Sequence, residues 1–217
     1  MNVFFRGESC VRELLEAQLD GSAHRRCELQ DADLVIDCAV QLDPEPIRSA
    51  VPIMALCYAS SATRYASRAS HPERVIGFSC VPTAKGSSLI ELCVPLQNAG
   101  DLKFAQNFFV SLGMQTITVP DSVGLIVART VACLANEAFS ALASGIADAQ
   151  TIDTAMRLGT NYPLGPLEWA EHIGLETVLL ILQGLQNEYG EQYRPQPLLR
   201  SMVLAGIGFD SLEPQHQ

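Results

Sequence analysis

Two apolar patterns follow one another along the chain. Residues 2–6 (NVFFR) form a short β-type run closed by Gly7. From Ser9 to Leu19 the apolar positions Val11, Leu14, Leu15 and Leu19 recur at helical spacing and stop at Asp20–Gly21. Asp33–Val40, within ADLVIDCAV, is a continuous apolar run bounded by acids, the signature of a strand buried on both faces. Pro44 and Pro46 mark a turn into a short helix, and a second apolar run covers Val51–Ala59. Beyond a Ser-rich stretch ending at Ser70, RVIGFS (74–79) and LIELCV (89–94) read as strands. Asp101–Leu112 reads as a helix with Phe104, Phe108 and Leu112 on one face, and QTITV (115–119) alternates as a half-exposed strand. No clear second strand with a terminal acid appears between Gly21 and Asp31. Strands alternating with helices predict a parallel, doubly wound sheet.

Pro120 closes that pattern. From Ser122 to Leu142 the positions Val123, Ile126, Val127, Thr130, Val131, Leu134, Ala138 and Leu142 trace one helical face. Asp148 is placed to cap a second helix ending at Gly159, and Gly165–Pro166 opens a third. Gly174 separates it from Leu175–Tyr189, and Pro197–Leu204 is a last short helix. The pattern divides the chain into an α/β domain over residues 1–119 and an all-helical domain over 120–210, without internal repeats.

Composition narrows the function classes. With 14 basic against 24 acidic residues the chain carries −10, which excludes the phosphate-neutralising surface of a nucleic-acid binder. No apolar run approaches the roughly 18 residues of a membrane span. The opening MNVFFRGESC has neither the basic start nor the long apolar stretch of a signal peptide, so a cytoplasmic location is expected. Seven cysteines include no CxxC, and four scattered histidines form no H-x-x-H, so reduced core cysteines and no metal site are expected.

The helical part carries the most specific motifs: Asp121, Gly124 and Arg129; Asn136–Glu137–Ala138; Asp153, Ala155 and Gly159; Gly165–Pro166; Gly174–Leu175; and later Tyr193–Arg194–Pro195 with Leu198–Leu199. In this order and spacing they resemble the C-terminal domain of the 3-hydroxyacyl-CoA dehydrogenase family. The likeness is greatest to the second half of duplicated bacterial 3-hydroxyadipyl-CoA dehydrogenases, which act in phenylacetate degradation. More weakly, ADLVIDCAV, HPERVIGF (71–78) and LIEL (89–92) are similar to strands of that family's nucleotide-binding domain. The resemblance implies a shortened Rossmann-like domain followed by the helical domain, a homodimer through the helices, and NAD-linked oxidation of 3-hydroxyacyl-CoA in fatty-acid or aromatic-acid breakdown.

It also locates departures. The family's catalytic glutamate corresponds to Glu91, and its histidine, twelve residues earlier, to Ser79. A serine hydroxyl cannot replace an imidazole as general base at neutral pH. His71, eight residues upstream, starts the same strand too far away to substitute. Ala128 stands before Arg129, where the family carries a substrate-contacting asparagine. After the first strand only Gly7 remains of a G-x-G-x-x-G loop, and Glu8 places a carboxylate where a pyrophosphate would lie. Ser60 and Ser61 resemble the family's substrate-contacting serine segment, or serve as helix caps. Trp169 is assigned to core or dimer interface. Two readings follow. In the first, the chain is a relative with a degenerate active site and NAD loop, acting as an acyl-CoA-binding or oligomerising companion of an active dehydrogenase domain. In the second, it is an active but divergent NAD-dependent 3-hydroxyacyl-CoA dehydrogenase.

Overall fold

The computed structural model describes residues 1–82, 89–97 and 102–209. Among the described residues seven strands build one sheet: β1 (Asn2–Arg6), β2 (Arg25–Arg26), β3 (Leu34–Asp37), β4 (Ile53–Leu56), β5 (Val75–Ser79), β6 (Leu89–Cys93) and β7 (Gln115–Thr118). Their order is β2-β1-β3-β4-β5-β6-β7. Helices α1 (Cys10–Leu19), α2 (Ala62–Ala66) and α3 (Leu102–Ser111) cover it, and α4 (Val127–Ala143), α5 (Ala149–Thr160), α6 (Pro166–Ile173), α7 (Leu175–Tyr189) and α8 (Pro197–Ala205) follow. This is the expected class: a Rossmann-like sheet region followed by a helical one.

Alternation decides which face each strand buries. In β3, Leu34 and Ile36 join the main core with Val11, Leu15 and Leu19 of α1, while Val35 packs on the opposite face with Ile47, Ile53, Tyr65 and Val75. The main core runs on without a break into Phe139, Trp169, Ile181 and Leu185 of the helical region. The two regions also touch through backbone. A Cβ on Gly184 of α7 would collide with the carbonyl oxygen of Ala59, so only glycine permits this approach.

Four details differ from the expectations. The sheet is not wholly parallel, since β5 and β6 pair antiparallel. Residues 80–88 between them are too few for a parallel crossover, which takes roughly a dozen or more. A second strand does exist: β2 pairs parallel with β1 through Arg25 and Arg26. Both are exposed, so no apolar alternation marks it. No helix forms at 44–50. Pro46 disfavours helical backbone at Glu45, whose carbonyl instead accepts a hydrogen bond from Arg6 Nη1 at 2.6 Å. The long helix starts at Val127 rather than Ser122, because Gly124 (φ +74°) and Leu125 (φ +46°) adopt left-handed backbone just before it.

Candidate active site

Parallel α/β sheets bind ligands beyond the carboxyl ends of their strands, where the strand order reverses. Here that point lies between β1 and β3, which pair in register from Val3↔Leu34 to Arg6↔Asp37. The last residues of the two strands close it. The Arg6 guanidinium forms a two-pronged ion pair with Asp37, whose side chain is 1% exposed. Tyr65 Oη of α2 donates to Asp37 Oδ2 at 2.6 Å. Burial, and then the Asp37 charge beside it, drive the Tyr65 phenol far above its ordinary range. Gly7 follows at φ +82°, and a Cβ there would sit 2.5 Å from Ala39 Cα and 2.8 Å from the Cys38 carbonyl carbon. The room this glycine creates is therefore filled by the chain's own backbone after β3. Glu8 lies beside the start of α1, almost fully exposed, and pairs with Arg12 at 3.2 Å. Ser9 is the cap of that helix, accepting from Arg12 N at 3.2 Å.

Along the same sheet, Ser79 and Glu91 are direct cross-strand partners on β5 and β6. The position that carries histidine in the resembled family thus faces its glutamate. Ser79 is fully enclosed, and its hydroxyl has no hydrogen bond of ordinary geometry among the described residues. Glu91 is engaged elsewhere: Oε1 accepts from Ile126 N and Val127 N, both at 3.2 Å, and Oε2 from Val127 N at 3.2 Å. Glu91 thereby caps α4, the helix whose first-turn Ala128 is wholly buried and supplies no polar atom to the site. Burial raises the Glu91 carboxyl above its usual range, and the two backbone N–H groups, and after them the nearby Ser79 hydroxyl, hold it back.

The serines divide. Ser61 is the cap of α2, accepting from Arg64 N at 3.1 Å. Ser60 is buried, and its hydroxyl has no partner among the described residues. His71 is exposed at the far end of β5 and pairs with Glu73 at 3.2 Å. Sequence reasoning missed Arg6, Asp37 and Tyr65. The available signal was a charged residue closing each of two apolar strands, 2–6 and 34–37.

In the helical region the motif residues are used for construction. Asp153 accepts from Leu167 N at 2.8 Å and Glu168 N at 2.9 Å, starting α6. The absence of a side chain on Gly165 admits its carboxylate. Asn136 donates to Arg194 O at 3.0 Å and accepts from Gln196 N at 2.8 Å, fixing the approach to α8. Arg129 donates to Tyr193 Oη and lies 4.6 Å above the Tyr189 ring. Trp169 is core, edge-on to Tyr162.

A sheet ending at β7 with a five-helix region packed on it is the two-part build of a Rossmann-like protein with an appended helical domain. Residues 124–210 match the family of the 3-hydroxyacyl-CoA dehydrogenase C-terminal domain. A 3-hydroxybutyryl-CoA dehydrogenase of Bradyrhizobium diazoefficiens is 33% identical over 202 residues, covering 85% of this chain and 67% of that protein. A 3-hydroxyadipyl-CoA dehydrogenase of Escherichia coli is 47% identical over 100 residues, covering 46% of this chain. The match spans 21% of that protein's length. The crystal structure of an (S)-3-hydroxybutyryl-CoA dehydrogenase from Ralstonia eutropha superposes with a TM-score of 0.68 at 31% identity, covering 84% of this chain and 70% of the other. The chain belongs to the 3-hydroxyacyl-CoA dehydrogenase family.

Proposed function

We propose that the chain is a family member of fatty-acid or phenylacetate breakdown that has lost dehydrogenase chemistry and serves as an acyl-CoA-binding or oligomerising companion. The observation that carries this reading is the Ser79–Glu91 pair. A buried serine stands where a general base is needed, and the carboxylate opposite it caps a helix. NAD is the cofactor the family implies, and the residues do not fit it in the family's manner. The reversal point of the sheet is bridged by Arg6, Asp37 and Tyr65, Gly7 is packed on Ala39, and Glu8 brings negative charge to the α1 N-terminus.

Retained acyl-CoA binding is supported by Ser60, whose enclosed hydroxyl has no partner among the described residues. A homodimer through the helices is supported by Ile146 and Leu158, apolar and largely exposed on that region. The competing reading, an active divergent dehydrogenase, draws on the Ser79–Glu91 juxtaposition itself and on relatives named for that activity. One assay separates them: the protein is mixed with acetoacetyl-CoA and NADH, and the absorbance of the reduced cofactor is followed. No turnover and no NADH binding is the expected result. Turnover that disappears in Glu91→Ala sinks the companion reading.

A further inference from the structure

A second cluster lies on the sheet face that α2 covers, apart from the residues used above. Cys57 follows β4, Cys93 ends β6, and Asp121 lies in the segment between β7 and α4. The two Sγ atoms and a carboxylate oxygen of Asp121 all fall within 4.8 Å of one another. Both thiols are enclosed, at 1% and 0% residue exposure. Strand β5 runs between β4 and β6, and the sulfurs converge over it because the intervening residue is Gly77. A Cβ there would lie 2.7 Å from Cys57 Sγ and closer still to Cys93 Sγ. Cys93 Sγ is 3.5 Å from Asp121 Oδ1. That carboxylate is held in place by Ala62 N and Thr63 N, each donating at 2.8 Å, and its oxygens keep further lone pairs.

We propose that Cys57, Cys93 and Asp121 form a buried site for one thiophilic cation of the Cu(I) type. Two metal–thiolate bonds of about 2.3 Å laid end to end span about 4.6 Å, so a single ion can reach both sulfurs of a ligand set whose atoms all lie within 4.8 Å of one another. The donor set selects the ion. Calcium and magnesium take six or more oxygens, and a structural zinc takes four ligands. Two thiolates with one oxygen, in an enclosed site, suit a soft ion of low coordination number. Binding is a proton exchange without redox change: each thiol gives its proton to solvent as its metal–sulfur bond forms, two protons per ion. The chain's spacing predicts no metal site because the three ligands come from three distant elements. Only the fold, with glycine in the middle strand, brings them together.

The test is an anaerobic titration of the reduced, full-length protein with Cu(I) in competition with bicinchoninate. Uptake of one tightly held equivalent with near-ultraviolet thiolate-to-copper absorption is expected. It should fall at least tenfold in affinity in Cys57→Ser and in Cys93→Ser, and persist in the triple variant Cys10→Ser/Cys27→Ser/Cys133→Ser. Uptake unchanged in both single variants, or abolished in the triple variant, overturns the proposal. Should the single variants fail to fold, X-ray absorption of the Cu(I)-loaded wild type decides. Two sulfurs and one oxygen around copper support the site, and any other first shell refutes it.

Discussion

Two places along one sheet handle buried polar groups in opposite ways. Between β1 and β3 every group answers another: Arg6 meets Asp37 and the Glu45 carbonyl, and Asp37 also accepts from Tyr65 Oη and Ala39 N. Beyond β4 and at the end of β5, the hydroxyls of Ser60 and Ser79 are enclosed without a hydrogen bond of ordinary geometry among the described residues. Leaving a buried polar group unmet costs about 1–3 kcal/mol, so the second place carries a standing cost and the first does not. The contrast separates a strand junction whose charged groups close on one another from a neighbouring place whose hydroxyls are left unmet.

The largest blow to this contrast should come from Arg6→Ala, which strands the buried Asp37 carboxylate. A loss of about 3 kcal/mol is expected, read as a shifted denaturant midpoint. NADH binding that appears in this variant would show the closed junction to be a gate rather than a plug. Glu91→Ala removes the acceptor for two N–H groups at the start of α4 and should cost about 1–2 kcal/mol. Hydrogen exchange should quicken in the first turn of α4 and leave α7 unchanged. Ser79→Ala, by contrast, removes a hydroxyl that makes no hydrogen bond of ordinary geometry among the described residues and should change stability by less than about 1 kcal/mol, in the stabilising direction. Clear destabilisation would mean that Ser79 is bonded to Glu91 in solution.

The smallest effect is one of pH. Burial raises the Asp153 carboxyl above 3.8, so the folded protein holds this proton more tightly than the unfolded chain. Its contribution therefore improves as pH falls through the raised value and worsens as pH rises. In paired thermal melts, wild type should gain on Asp153→Asn as pH drops from 7 towards that range. A gap that narrows instead would contradict burial as the dominant influence.

How much was legible in the chain follows from the kind of interaction involved. Helices α5, α6 and α7 were readable because their signals are local: Asp148 caps α5, accepting from Thr151 N at 2.7 Å, Pro166 opens α6, and Gly174 divides α6 from α7. The pairing of Ser79 with Glu91 was readable through family spacing. Strand β2 was not, because two exposed arginines carry no apolar pattern. Nor was the late start of α4, since its cap is Glu91, more than thirty residues earlier in the chain. The Arg6–Asp37–Tyr65 cluster escaped for the same reason: its members lie on three elements, and each alone is an ordinary polar residue at an element's end or on a helix.

The cap that Glu91 gives α4 has a consequence for anyone cutting this chain. Residues near 120 look like a natural scissor point between sheet and helices, yet the seam is stitched from both sides. Glu91 initiates the first long helix, Gly124 N donates to Cys57 O at 2.7 Å, and Gly184 rests on Ala59. A fragment beginning at 120 would start with a frayed helix and an exposed glycine notch. Grafts onto other nucleotide-binding domains would need an acid at the register of Glu91 and a slim backbone at that of Ala59.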